Sequence, residues 1–240
     1  MHQYGIIGNP LGHSYSEQYF TQLFEQEGLR ATYRPYAIED IDLVRELLQK
    51  LTGFNVTYPY KEAIIPYLTE VDAIAKTIGA VNVVHRGCGY NTDWLGFRDS
   101  LGAMLQEQDQ YALLLGTGGV SKAIQYALSE MGIGYTLVSR HLTATNEKAI
   151  AYENVDQEVI KKHTIIVNCT PLGMHPYESE LPKIPYEYLT ESHLLFDCIY
   201  NPAKTLFLQE GEKHGCRIKN GLEMLHVQAD RAWDIWKRDY

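Results

Sequence analysis

Lys61 closes the run Asn55-Val56-Thr57-Tyr58-Pro59-Tyr60-Lys61, just beyond an apolar segment. In a cleft, a lysine can hand a proton to a carbonyl oxygen as hydride reaches its carbon. In the reverse reaction it can take that proton from the hydroxyl. On an open surface the same residue is only a solvated charge, the commoner use of a lysine. Asp93 ends Gly89-Tyr90-Asn91-Thr92-Asp93. It can bond a substrate hydroxyl and pair with Lys61, or it can cap the helix that follows. Ser14 and Ser16 stand two apart in His13-Ser14-Tyr15-Ser16, ahead of a helical pattern. Two hydroxyls there can hold a carboxylate together with free helix amides, or one can be a plain N-cap. Thr57 follows a strand that buries Val56. Asn82, in Gly79-Ala80-Val81-Asn82, offers a donor and acceptors to a hydroxylated ring, or serves as a turn residue.

A second chemistry lies further on. Gly116-Thr117-Gly118-Gly119 follows the apolar run Leu113-Leu114-Leu115 and precedes a helical stretch. Glycine lets such a turn tighten and brings backbone N–H groups up to a pyrophosphate, which the helix N-terminus then faces with its positive dipole end. The strand–turn–helix context makes dinucleotide binding the stronger reading over a simple tight turn. The next strand ends Val138-Ser139-Arg140. An acid there would hold the ribose 2′-hydroxyl of NAD, and none is present. Arginine can pair with a 2′-phosphate through its planar fork of donors, which favours NADP over a merely solvated guanidinium.

These residues must be held by elements, and the pattern predicts them. Strands are expected at Tyr4–Gly8, Ala31–Ile38, Gly53–Thr57 and Ala80–His85, with helices at Ser16–Gln26, Ile41–Leu51, Glu62–Leu68 and Val71–Ile78. Asp93–Gly102 is a helix joining the halves. Further strands are expected at Tyr111–Leu115, Tyr135–Ser139, Thr164–Asn168 and His193–Asp197, and helices at Ser121–Met131, Ala203–His214 and Leu222–Lys237. The alternation predicts an α/β fold with mostly parallel strands. Chemistry-bearing residues fall at strand ends, where open α/β sheets bind ligands. Periodicity leaves the last helix free to pack on either half.

Composition narrows the function classes. The chain has 240 residues, 45% apolar and 21% charged, as in ordinary globular proteins. Its net charge is −9 with no basic run, which argues against nucleic acid as partner. No apolar run reaches the length of a membrane-spanning helix, and the N-terminus lacks the pattern of a signal peptide. Cys88, Cys169, Cys198 and Cys216 are scattered, which fits a reducing cytoplasmic location. With no Cys-x-x-Cys and no His-Glu-x-x-His, no metal site is expected.

The motifs, in order, resemble the shikimate dehydrogenase family, which interconverts 3-dehydroshikimate and shikimate with NADP(H). The matching blocks are Gly5-Ile6-Ile7-Gly8-Asn9-Pro10, His13–Ser16, Asn55–Lys61, Gly79–Asn82, Asn91-Thr92-Asp93-Trp94-Leu95-Gly96 and Gly116–Gly119. They continue with Asn168-Cys169-Thr170-Pro171-Leu172-Gly173-Met174, Asp197-Cys198-Ile199-Tyr200-Asn201-Pro202, and Gly221-Leu222-Glu223-Met224-Leu225 with Gln228. No single block is decisive; the ordered set is specific.

The resemblance implies two domains: an open α/β substrate domain over 1–98 and a Rossmann-like NADP domain over 99–220. The C-terminal helix, within 221–240, then returns to the substrate domain. It implies Lys61 and Asp93 as catalytic pair, with Ser14, Ser16, Thr57, Asn82, Tyr200 and Gln228 as substrate contacts. It further implies Gly116, Thr117, Gly118, Gly119 and Val120 at the pyrophosphate and Ser139 and Arg140 at the 2′-phosphate. Thr170, Cys198, Gly221 and Met224 would line the nicotinamide side. A small-molecule substrate is expected, with a monomer or homodimer, and a role on the way to chorismate and the aromatic amino acids. Alternatives are a quinate/shikimate dehydrogenase using NAD or NADP, and a non-catalytic NADP-binding regulator. The chain departs from the family in three places. Glu17-Gln18-Tyr19 stands where a proline and a His-Asn pair are usual, the stretch from Arg140 to Asn168 is short, and His141-Leu142-Thr143-Ala144 lacks a second basic residue.

Overall fold

The computed structural model describes residues 2–11, 15–140 and 149–239. The chain divides into two compact units, Met1–Thr92 with Gln228–Tyr240, and Asp93–Val227.

The first unit runs β1 (His2–Gly8), α1 (Tyr15–Gln26), β2 (Ala31–Ala37), α2 (Val44–Lys50), β3 (Gly53–Val56), β4 (Glu70–Val71), α3 (Ala73–Ile78), β5 (Val83–His85) and β6 (Cys88–Tyr90). Its sheet has the order β2-β1-β3-β5-β6-β4. The pairs β1–β2, β1–β3 and β4–β6 are parallel, while β3–β5 and β5–β6 are antiparallel. The sheet is therefore more mixed than alternation alone predicts. Arg86 (φ 48°) and Gly87 (φ 80°) turn the β5–β6 hairpin. Two consecutive positive φ values are what a tight hairpin loop with matching twist requires.

Side chains alternate across the sheet and build a core on each face. Ile7, Phe54, Val56 and Val84 pack with Val44, Leu51, Ile64 and Ala75. Tyr4, Tyr33 and Val83 pack with Phe20 and Phe24 of α1 and with Trp233 and Trp236 near the C-terminus. The Trp236 ring lies 4.9 Å from that of Tyr4 and 5.0 Å from that of Phe20, centroid to centroid. Its Nε1–H donates to the Val84 carbonyl at 3.0 Å. Gly53 admits the indole: a Cβ there would stand 2.5 Å from Trp236 Nε1.

Several predicted elements are shortened. Instead of a helix over Glu62–Leu68 there is a run of turns and a 3-10 helix at Ile65–Tyr67. Pro66 removes an N–H that a continuing helix would need. Val71 belongs to β4, and α3 starts at Ala73 because the Asp72 carboxylate accepts from Ile74 N at 2.9 Å. Ala80–Asn82 precedes β5 rather than belonging to it, and its amides bond elsewhere: Val81 N to the Lys61 carbonyl at 2.7 Å, Asn82 N to the Tyr90 carbonyl at 3.0 Å.

The second unit runs α4 (Asp93–Gly102), β7 (Tyr111–Leu115), α5 (Gly119–Glu130), β8 (Gly134–Ser139), β9 (Ala149–Ala151), α6 (Gln157–Lys162), β10 (Ile165–Asn168), β11 (Leu194–Asp197), α7 (Leu206–Lys213) and β12 (Arg217–Lys219), then opens α8 (Leu222–Trp236). From Gln228 on, α8 counts with the first unit. The strand order is β12-β11-β10-β7-β8-β9, every pair parallel. Counted from β7, this is the doubly wound dinucleotide-binding order. Both faces are covered, so β7, β10 and β11 are almost wholly buried. At the amino edge Arg217 grips Asp109 through two nitrogens, at 2.9 and 3.1 Å, and donates to the Met104 and Ser192 carbonyls. Burial pushes the Asp109 carboxyl up, but Arg217, Gln106 and Thr164 outweigh it and leave it below its ordinary range.

The docking of Trp236 on Gly53 gives a direct test of the first core. Trp236→Ala should cost about 3–5 kcal/mol of stability, the usual loss for a large buried aromatic. Urea unfolding followed by circular dichroism measures it; a loss under about 1 kcal/mol would mean that the indole is not part of this core.

Candidate active site

In the first unit, β1 and β3 lie side by side and the chain leaves them to opposite sides of the sheet, which makes their carboxyl ends a switch point. The two exits are zipped together: Thr57 N donates to the Ile7 carbonyl at 2.9 Å and Asn9 N to the Tyr58 carbonyl at 3.0 Å. Gly8 allows this closeness, since a Cβ there would meet Thr57 Cγ2 at 2.5 Å. Thr57 is half-buried at this edge, and Lys61, also half-buried, follows in the next turn with its carbonyl held by Val81.

Asn82, 2% exposed, is the node of this edge. Its carbonyl accepts from Val56 N at 2.9 Å. Its Oδ1 accepts from Thr92 N at 2.7 Å, and its Nδ2 donates to Thr92 Oγ1 at 3.0 Å and to Gln228 Oε1 at 3.3 Å. Thr92 Oγ1 in turn donates to the Gln228 carbonyl at 3.0 Å. The structure thus brings Asn82 and Gln228 together across 146 positions of sequence. Ser16 is buried in the first turn of α1 and bonds the Tyr33 hydroxyl, whose pKa burial pushes well up. Tyr33 also donates to Asn55 Oδ1 at 2.7 Å, and Asn55 Nδ2 to the Asn82 carbonyl at 3.4 Å. Tyr19, in the segment that departs from the family, bonds Asp230 of α8. Burial first, and Asp230 second, push the Tyr19 hydroxyl above its ordinary range. Ser14 lies outside the described residues, as does the run His141–Ala144.

In the second unit the switch point falls between β7 and β10. Gly116, at φ +107°, ends β7, and a Cβ there would stand 3.1 Å from Thr170 Cγ2 and 3.3 Å from the Cys169 backbone. Only glycine fits both the angle and the approach. Gly118 is the N-cap of α5 and brings no capping side chain, so the first amides of the helix, at Gly119 and Val120, have no side-chain cap. Around Gly118 a Cβ would find open space. Half-buried Thr117 completes a turn suited to a pyrophosphate. Ser139 is buried at the end of β8, and exposed Arg140 follows it. Arg140 acts on Tyr152, next to β9: burial pushes this hydroxyl up to about 12, and the guanidinium opposes the shift.

The remaining cofactor-side residues gather at the ends of β10 and β11. The Cys198 thiol bonds Cys169, and that bond, burial and the charges of Asp197 and Asp93 hold its pKa well above the ordinary value. Asp93 is buried as the first residue of α4, close enough to act on Cys198. Gly221 presses on the Cys198 carbonyl, where a Cβ would clash, and Gly221 N donates to the Ile199 carbonyl at 3.0 Å. Met224 is buried in the first turns of α8, and Tyr200 is half-buried in the loop after β11.

The sequence alone assigned no role to Tyr33, Asn55, Thr92, Tyr152 or Asp197. Asn55, Thr92 and Asp197 lay inside quoted motifs, so their blocks pointed at them; nothing in the sequence marked Tyr33 or Tyr152. Among the described residues no group of three metal-ligating side chains occurs, and no helix is long and apolar enough to cross a membrane.

Asp197 is fully buried, and burial pushes its carboxyl up to about 6 against the pull of Thr205, Ile199 and Asn168. Its proton is therefore held more tightly in the folded chain than in the unfolded one. Stability from this group is complete below the unfolded value and is lost as pH rises toward 6, about 3 kcal/mol in all. Urea unfolding of wild type and Asp197→Asn at acid and neutral pH measures this. The wild type should lose about 2 kcal/mol relative to the variant between roughly pH 4.5 and 7; parallel stability curves would contradict it.

The chain is similar to known proteins in both sequence and fold. Residues 6–84 match the family profile described as the shikimate dehydrogenase substrate binding domain. The NADP(+) shikimate dehydrogenase of Carboxydothermus hydrogenoformans is 37% identical over an alignment that covers 97% of this chain and 90% of that protein. The solved shikimate dehydrogenase of Aquifex aeolicus superposes with a TM-score of 0.88 at 34% identity, covering 99% of this chain and 92% of the other. That of Thermus thermophilus, solved in complex with NADP(H) and shikimate, gives 0.86 at 30% identity, covering 99% and 94%. The likeness runs through both units and bears out the two-domain α/β reading: the chain belongs to the shikimate dehydrogenase family.

Proposed function

We propose that the chain catalyses the reversible, NADPH-dependent reduction of 3-dehydroshikimate to shikimate, a step toward chorismate and the aromatic amino acids. One observation carries this reading. Thr57, Lys61 and Asn82 lie at the switch point of the first unit's sheet and the turn Gly116–Gly119 at that of the second, in a chain related to NADP(+) shikimate dehydrogenases over 97% of its length.

The residues fit NADP(H). Gly116 lets the β7 turn close on Thr170, Gly118 leaves the open space a pyrophosphate needs, and the α5 amides face it. Ser139 and Arg140 hold the 2′-phosphate, and Thr170, Cys198, Gly221 and Met224 line the nicotinamide. When bound, the cofactor supplies or accepts a hydride at C4 of that ring. The protonated Cys198 thiol keeps this wall neutral. Ser14 and Ser16 hold the ring carboxylate, and Thr57, Asn82, Tyr200 and Gln228 orient the hydroxyls. In reduction, Lys61 gives its proton to the developing alkoxide; in oxidation it takes the proton back, with Asp93 as its partner. Fixing the reacting groups in place supplies much of the rate.

The test is NADP⁺ reduction with shikimate, followed by absorbance. Wild type should turn over, and Lys61→Ala should lower kcat about 10²–10⁴-fold with little change in KM for shikimate. Arg140→Ser should weaken NADP⁺ by roughly 10-fold or more and leave NAD⁺ unaffected. Quinate turned over as well as shikimate would move the reading to a quinate/shikimate enzyme. Folded protein with no turnover of either acid with either cofactor would overturn the enzymatic reading in favour of a regulator.

A further inference from the structure

The carboxyl ends of β10 and β11 hold a polar network that the reaction outlined above does not use. Asn168 and Asp197 are register partners on neighbouring parallel strands, and both are fully buried. Asp197 Oδ1 accepts from Asn168 Nδ2 and from Ile199 N, each at 3.0 Å. Asp197 Oδ2 accepts from Thr205 Oγ1 at 2.5 Å. Asn168 passes the arrangement on. Its Oδ1 accepts from Thr170 N at 3.0 Å and Thr170 Oγ1 at 2.7 Å, while its Nδ2 also donates to the Leu172 carbonyl at 3.1 Å. Leu172 N closes the turn onto Thr170 Oγ1 at 3.2 Å.

Each partner belongs to a segment with a task. Thr170 stands against Gly116, so the loop after β10 forms one side of the β7 turn. Ile199 lies between Cys198 and Tyr200 and accepts from Gly221 N. Thr205 is the N-cap of α7, its Oγ1 accepting from Leu208 N at 3.4 Å, and its side chain would meet a Cβ on Gly173 at 3.0 Å. One side chain therefore fixes the loop after β10, the loop after β11 and the start of α7. All the Asp197 bonds named here come from neutral donors. A fully buried carboxylate held by neutral donors alone is costly. A core that needed only stability would be served as well by apolar residues of similar size. What the carboxylate adds is direction: it accepts from three segments at once.

We propose that Asp197 is a positioning residue that holds Thr170, Cys198 and Tyr200 in place for hydride transfer. The proposal rests on the reading that the loops after β10 and β11 line the nicotinamide. Asp197 touches neither reactant; it acts through the loops. An asparagine at this site can keep the pattern, its Oδ1 accepting from Asn168 and Ile199 and its Nδ2 donating to Thr205 Oγ1. An alanine cannot.

The test compares wild type, Asp197→Asn, Asp197→Ala and Thr205→Val. Hydrogen exchange of the cofactor-free proteins reads the loops without reference to activity. In Asp197→Ala, peptides covering 168–173 and 198–205 should exchange about tenfold faster or more, with the β8 peptide unchanged. In turnover, kcat should fall by about 50–100-fold, as for a small misplacement of the reacting groups. Affinity for adenosine 2′,5′-bisphosphate, a probe of the other half of the cofactor site, should stay within about threefold, and KM for shikimate, which Tyr200 contacts, should rise by less than about tenfold, well short of the fall in kcat. Asp197→Asn should restore exchange and kcat to within about threefold of wild type, and Thr205→Val should fall between the two. Wild-type kcat in Asp197→Ala would overturn the proposal. So would an equal loss in kcat, shikimate binding and bisphosphate binding, which marks a merely structural role. So would Asp197→Asn as impaired as Asp197→Ala, which would make charge the cause. Should Asp197→Ala not fold, wild-type exchange and kcat in Thr205→Val would overturn it alone. Absence of turnover in the wild type defeats the proposed function instead, and the exchange data separate that failure from this one.

Discussion

A polar residue buried at the end of a strand must find partners for the donors and acceptors of both its main chain and its side chain, because no water reaches it. This constraint organises both units. In the first, Asn82 can be buried only if Val56, Tyr90, Thr92 and Gln228 all come to it. Meeting that demand fixes the end of β3, the entry to β5, the exit of β6 and the first residue of α8 that counts with this unit. In the second, Asp197 makes the same demand of Asn168, Ile199 and Thr205. In each case the satisfied node stands at the carboxyl edge of the sheet, where the candidate site residues are. Positions that must be accurate for chemistry are tied to groups that cannot relax without losing a buried bond.

Close approach is the second half of the account. Switch points open a crevice only where the diverging loops stay near each other at their base. Gly8 on Thr57, Gly116 on Thr170 and Gly221 on Cys198 each remove a Cβ that would push two strand ends apart. Gly53 does the same beneath Trp236, and so seats the helix that carries Gln228. The glycines and the polar nodes are complementary: the first set the spacing of the loops, the second set their direction.

Much of this was legible in the sequence. The apolar run Leu113–Leu115 followed by Gly116–Gly119 could hardly be other than a buried strand, a tight turn and a helix, and it is. Residues that carry the resemblance were legible for the same reason, since glycines, prolines and polar strand ends are locally distinctive. Short pairings were not. β4, β6, β9 and β12 are two or three residues each and take their strand character from neighbours distant in sequence. α6 is six residues with its Asp156 cap, too brief to show a period. The apolar spacing of Glu62–Leu68 suggested a helix that Pro66 and tertiary bonds prevent. The contact of Asn82 with Gln228 spans 146 positions of sequence and leaves no local trace, and the bonds of Thr92 and Asp197 exist only once their units are built.

We propose that the hydride leaving the substrate ring goes directly to C4 of the nicotinamide, while Lys61 moves only the proton. Shikimate deuterated at the carbon that bears the oxidised hydroxyl tests this in a single experiment with the wild-type protein and NADP⁺. The account predicts reduced cofactor carrying one deuterium at C4 for each turnover, with none lost to water. Unlabelled reduced cofactor, or deuterium recovered in solvent, would contradict it.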